Sequence, residues 1–125
     1  MVKDIENYTL EDAPKMKAIK EIIETMEIST EHGSNHKALI FSKWAATLNF
    51  IEKDVIWKYF PNTGYLRLDG KVRESKRVPM ALQFNTDEDI RIMLSTTEVG
   101  GQGISLIGAD VVIFVDHEFN PVKDL

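Results

Sequence analysis

This sequence predicts an α/β domain with a mostly parallel sheet and helices on both faces, and three observations carry that prediction. Short apolar runs alternate with amphipathic segments along the chain, the order that builds a parallel sheet through crossover helices. The runs KALIF, YLRL, IRIML and DVVIFV are nearly continuous rather than alternating, as in strands covered on both faces. Each is followed by polar or glycine residues: Ser42-Lys43, Asp69-Gly70, residues 95–103 and residues 116–120. A parallel arrangement gathers these at one edge, where open sheets bind ligands.

Residues 1–12 read as a poorly ordered lead-in to a single domain spanning 1–125. Pro14 opens the first helix, a position where a missing N–H does no harm. Met16, Ile19, Ile22, Ile23 and Met26 then recur at helical spacing. Residues 29–36 are polar, with Gly33 and Asn35, and form a loop before the strand KALIF. Trp44, Leu48, Ile51, Val55 and Tyr59 mark one face of a second helix, ended by Pro61. YLRLDG is the second strand, closed by Asp69-Gly70. A third helix runs from near Ser75 to Phe84, with Pro79 expected close to its first turn and expected to shorten it. IRIML and DVVIFV complete the sheet, and no repeat, low-complexity tract or linker divides the chain.

A chain of 125 residues buries roughly two-thirds of its extended surface, enough for a core without staples. It has no cysteine, which excludes disulfides and thiolate metal sites. No run approaches the roughly 18 apolar residues of a membrane-spanning helix, so no membrane partner is expected. Fifteen basic against 20 acidic residues leave a net charge of −5, which argues against a self-sufficient nucleic-acid binder. One half of a binding cleft remains compatible with that charge.

The glycine-rich stretch STTEVGGQG carries the chemistry. Without Cβ atoms, Gly100, Gly101 and Gly103 let backbone N–H groups approach an anion, and Thr96 and Thr97 add hydroxyls. The plainer alternative is a strand-to-helix turn that needs glycine for its backbone angles. Neither the spaced dinucleotide fingerprint nor GxxxxGK[ST] is present, so the chain has no loop to grip a nucleoside triphosphate alone. Asp116, His117 and Glu118 are consecutive on an extended segment and point to alternating faces. His32 and His36 lie in a separate loop, so no metal site is expected. GxSxG is absent, which excludes a nucleophile elbow. The basic set Lys43, Arg67, Lys71, Arg73, Lys76 and Arg77 follows strand ends. It serves either as a contact for nucleic-acid phosphates or as ordinary solvated surface.

In order, PKMKAIKEII, KALIFSKW, YLRLDG and LSTTEVGGQGISLIGADVVIFVDHEFNP resemble the second motor lobe of the Swi/Snf-type ATPases. The resemblance runs from about Pro14 to Leu125, and Val99 with the FVDH wording is similar to the branch that removes TATA-binding protein from DNA. It implies a RecA-like fold of the P-loop NTPase type, in an enzyme whose two lobes clamp ATP and move on double-stranded DNA. By this resemblance Ser42, Lys43, Arg67, Thr96, Thr97, Gly100 and Phe119 face DNA. Asp69 lies near the cleft with a largely structural role. Gly101, Gln102 and Gly103 approach the nucleotide. Mg²⁺ belongs to the first lobe, which is the expected partner within the parent chain. A nuclear location and a link to TATA-binding protein are implied as well.

Some residues depart from the family pattern. Glu98 stands where many members have a basic residue, and an exposed carboxylate there should weaken a phosphate contact by about 1 kcal/mol. Phe119 replaces the usual tryptophan and lacks its indole N–H. The family's arginine-finger motif would follow Leu125, so the 125 residues read as an incomplete lobe, with no catalytic residue of its own. Such fingers contribute about 10³–10⁵ in rate in related enzymes, so the chain alone is expected to be inactive and to hold no nucleotide tightly. A non-catalytic α/β protein-interaction module derived from such a lobe is the alternative. A flavodoxin-like signalling domain would need an acidic pocket at the strand ends, which KALIFSK does not supply.

Overall fold

The computed structural model describes residues 6–10, 15–26, 28, 36–100 and 108–115. Among the described residues, five strands form one sheet: β1 (Glu6–Leu10), β2 (Ala38–Ser42), β3 (Gly64–Leu68), β4 (Ile90–Thr96) and β5 (Val111–Val115). Their spatial order is β1-β5-β2-β4-β3, and every pairing is parallel. Helix α1 (Lys15–Thr25) follows β1. After β2 comes a continuous helical run of α2 (Ala45–Ile51), a π turn (Glu52–Ile56) and α3 (Trp57–Tyr59). Helix α4 (Glu74–Thr86) joins β3 to β4, and a short α5 (Thr97–Gly100) follows β4.

Alternation along the strands sorts the core into two layers. Ala38 and Ile40 of β2, Ile92 and Leu94 of β4, and Val111, Ile113 and Val115 of β5 pack with Ile19 and Ile23 of α1 and Leu48 and Ile51 of α2. On the other face, Leu39, Leu68 and Met93 pack with Phe84 of α4 and Val99 of α5. Chain moves in one direction across the sheet thus carry their helices on one face and return moves on the other, which keeps the crossovers right-handed.

Three expectations are corrected. Part of the expected lead-in, Glu6–Leu10, is a strand, paired along its length with β5. That pairing satisfies backbone groups that β5 would otherwise leave open at a sheet edge. Pro79 does not shorten α4, which continues to Thr86. The carbonyl that Pro79 leaves without an amide partner belongs to Ser75, and both residues are exposed, so water can satisfy it. The second helix does not hold its apolar stripe to the end. Leu48, Ile51 and Val55 are buried as expected, whereas Trp44 and Tyr59 are 41% and 45% exposed. A π turn takes up one extra residue, so the buried positions slip to Ile56 and Phe60 and Tyr59 turns outward.

Candidate functional site

Because all strands run the same way, Leu10, Ser42, Leu68, Thr96 and Val115 end at one edge. At that edge β2 and β4 are neighbours whose chains leave in opposite directions. β2 feeds α2 on the first face, and β4 feeds α5 on the second. Such divergence opens a crevice at the carboxyl ends of the two strands, the position where parallel sheets bind ligands. Ser42 and Thr96 are register partners across it.

Ser42 is 1% exposed, and its hydroxyl oxygen accepts the backbone N–H of Trp44 at 3.2 Å. That bond closes a short turn over Lys43 and fixes the path of Lys43 and Trp44 out of the sheet, just ahead of α2. Lys43 is exposed, with no ion-pair partner among the described residues. Thr96 is 8% exposed, and Thr97, the first residue of α5, faces solvent. Val99 anchors α5 by packing into the second core layer. The structure therefore brings Ser42, Lys43, Thr96 and Thr97 together, with Gly100 ending α5. Gly101, Gln102, Gly103 and Phe119 lie outside the described residues, as do Asp116, His117 and Glu118.

Arg67 is used differently. Its Nε donates to Asp69 Oδ2 at 2.8 Å, and its Nη1 donates to Glu52 Oε1 and Asn49 Oδ1 at 2.6 Å each. Nη2 reaches the carbonyl of Ala45 at 3.3 Å. This guanidinium ties β3 to the second helical run, with few donors left over for phosphate. Glu52 comes from the π turn, and its other oxygen accepts from the Tyr65 hydroxyl at 2.6 Å. The Tyr65 oxygen in turn accepts from Trp57 Nε1 at 2.8 Å. Burial, and then the bond to Glu52, raise the Tyr65 pKa above its ordinary value. Asp69 also accepts from the Lys71 backbone N–H at 2.9 Å and shapes the turn at Gly70. Arg77 donates to the Val72 carbonyl at 3.1 Å. Of the basic set, Lys43, Lys71, Arg73 and Lys76 are the exposed members.

Sequence reasoning placed Trp44 on the buried stripe and so missed an exposed indole beside the crevice. The adjacent KALIFSKW strand end was the available signal. It also missed Thr47 in the first turn of α2, whose hydroxyl is fully buried without a hydrogen-bond partner among the described residues. No three His, Asp or Glu side chains among the described residues converge to hold a metal.

The profile of the helicase conserved C-terminal domain matches residues 14–125. The chain belongs to that family. Human TATA-binding protein-associated factor 172 is 38% identical over 133 residues, covering 97% of this chain and 7% of that protein. TATA-binding protein-associated factor MOT1 of Saccharomyces cerevisiae is 46% identical over 92 residues, covering 74% of this chain and 5% of the relative. The chain thus spans a small fraction of the relatives it matches. Among solved structures, the C-terminal part of the Fun30 ATPase domain superposes with a TM-score of 0.67 at 33% identity, covering 86% of this chain and 33% of that one. The C-terminal domain of a Sulfolobus solfataricus SWI2/SNF2 ATPase shares the fold, with a TM-score of 0.57 at 17% identity, over 93% of this chain and 80% of that one. This helicase domain is a second, RecA-like lobe of the Swi/Snf type, related to the TATA-binding-protein-associated factors.

Proposed function

We propose that this lobe holds the phosphate backbone of double-stranded DNA at the β2–β4 crevice, and that it closes with a first lobe on ATP in a nuclear translocase acting on TATA-binding protein–DNA complexes. The observation that carries the reading is the crevice itself, where Ser42 and Thr96 are register partners and Lys43 and Thr97 flank them. Hydroxyls, an ammonium and backbone N–H groups make up a donor set suited to phosphate oxygens. By family resemblance Gly101, Gln102 and Gly103 form the nucleotide edge next to it, and the first lobe holds Mg²⁺. A loop that touches both DNA and nucleotide couples them, because each ligand favours the same closed arrangement. Arg67 acts in this scheme by holding β3 against the helical run, and Phe119 provides an aromatic contact to DNA.

The test is a Thr96→Val, Thr97→Ala double variant in the intact parent motor. DNA-stimulated ATP hydrolysis is expected to fall while unstimulated hydrolysis persists, and unchanged stimulation overturns the assignment. The exposed Glu98 and the net charge of −5 favour a second reading, a protein-interaction module. Titration with duplex DNA at rising salt separates the two, since phosphate contacts give affinity that falls steeply with salt.

A further inference from the structure

We infer that the groove between α1 and the end of the second helical run is a docking site for an acidic peptide segment carrying an apolar side chain. This site is independent of the β2–β4 crevice. The groove has a volume of about 420 Å³ and is lined, among the described residues, by Met16, Lys17, Lys20, Asp54, Lys58 and Tyr59. Three lysines against one aspartate make its wall cationic, in a chain whose net charge is −5. The Lys20 ammonium lies 4.6 Å from the centroid of the Tyr59 ring and that of Lys58 lies 5.3 Å from it. Two cations on one ring are within a Debye length of each other, about 10 Å at 0.1 M salt, so they repel, and a further anion between them relieves that repulsion. Glu24, 3.3 Å from the Lys20 ammonium, offsets part of this charge. Lys17 and Lys58 are exposed and have no ion-pair partner among the described residues.

The π turn makes this site, because it directs Tyr59 outward to where Lys20 and Lys58 pack on its ring. Tyr59 and Met16 supply apolar lining for a hydrophobic side chain, and the lysines supply partners for flanking carboxylates. Asp54 decides between a peptide and a nucleic acid. A carboxylate in the wall repels phosphate and peptide carboxylate alike, but it can accept a hydrogen bond from a peptide N–H, a donor that a phosphodiester backbone lacks. The groove also accommodates a few side chains rather than the long phosphate track of a duplex.

The test is fluorescence anisotropy with a labelled peptide of glutamates flanking Leu and Phe, titrated with the 125-residue chain. Binding is expected to weaken with salt, and a peptide with glutamine in place of glutamate is expected to bind at least ~10-fold more weakly. A Lys17→Glu, Lys58→Glu variant should lose at least ~10-fold in affinity, with folding checked by circular dichroism. The single Lys58→Glu variant changes one exposed side chain and should show a smaller loss in the same direction. Wild-type affinity in both variants overturns the proposal. So does a short DNA duplex that binds through Lys17 and Lys58 at least as tightly as the peptide.

Discussion

At the amino edge of the sheet a set of polar groups is taken up by the fold, while at the carboxyl edge several face outward. Asp110, just before β5, accepts from the Lys37 backbone N–H at 2.9 Å and bonds His36 Nδ1. The Lys37 carbonyl accepts from the backbone N–H groups of Asp110 and Val111 at 3.1 Å each. The Lys37 ammonium is buried and donates to the carbonyls of Phe84 and Asp87 at the end of α4, where a cation suits the helix terminus. Asn85 accepts from the Gly108 N–H at 2.8 Å. Gly64 meets the Asp89 backbone so closely that a Cβ there would stand 2.3 Å from the carbonyl oxygen. By contrast, Lys43 and Thr97 at the carboxyl edge are exposed. The difference separates residues that hold the lobe together from residues available to a ligand.

Substitutions can break that contrast, and the largest effect is expected at Gly64. Gly64→Ala forces backbone against backbone and should cost about 3 kcal/mol in urea denaturation. Lys37→Met leaves the α4 carbonyls without their buried donor, at a cost of about 2 kcal/mol on the same measurement. At the opposite edge, Ser42→Ala removes one side-chain bond to the Trp44 N–H and should cost only about 1 kcal/mol, yet duplex binding in the intact motor should drop. An equal loss of stability at Ser42 and Lys37 would remove the distinction between the edges. Thr47→Val removes a buried hydroxyl without a partner and should raise stability by about 0.5 kcal/mol.

Tyr65 sharpens the comparison through pH. Its folded pKa is raised above 10.0, so the fold favours the protonated phenol. The resulting stability is fully present below pH 10 and is lost as pH rises through the folded pKa. Alkaline melting curves should show this loss in the wild type, and Tyr65→Phe should flatten that part of the profile.

The strands β2 to β5 and the crevice were legible because their signals are local: apolar runs of strand length, each ended by polar or glycine residues. Strand β1 was not, because Glu6–Leu10 has little apolar periodicity and takes its conformation from pairing with β5. The π turn was missed for a related reason. EKDVI reads as ordinary helix, and the extra residue is held by Glu52 reaching Tyr65 and Arg67 on a strand further along the chain. Arg67 was expected to face DNA by family resemblance and by its place near a strand end. Its bonds to Glu52, Asn49 and Ala45 are tertiary contacts, and no local pattern announces them. The family, by contrast, was legible from motif order alone.

The position of β5 has a kinetic consequence. It lies between β1 and β2 although it is the last of the described strands in sequence. Strands β2, β4 and β3 can zip together from a stretch of chain that is contiguous, whereas β1 pairs, among the described strands, with β5, which lies roughly 100 residues away. Closing so long a loop carries an entropic cost that the nearer pairings avoid. During synthesis, Glu6–Leu10 therefore cannot meet β5 until roughly 100 further residues have been made. In the finished protein its amides should be the first of the sheet to exchange with solvent.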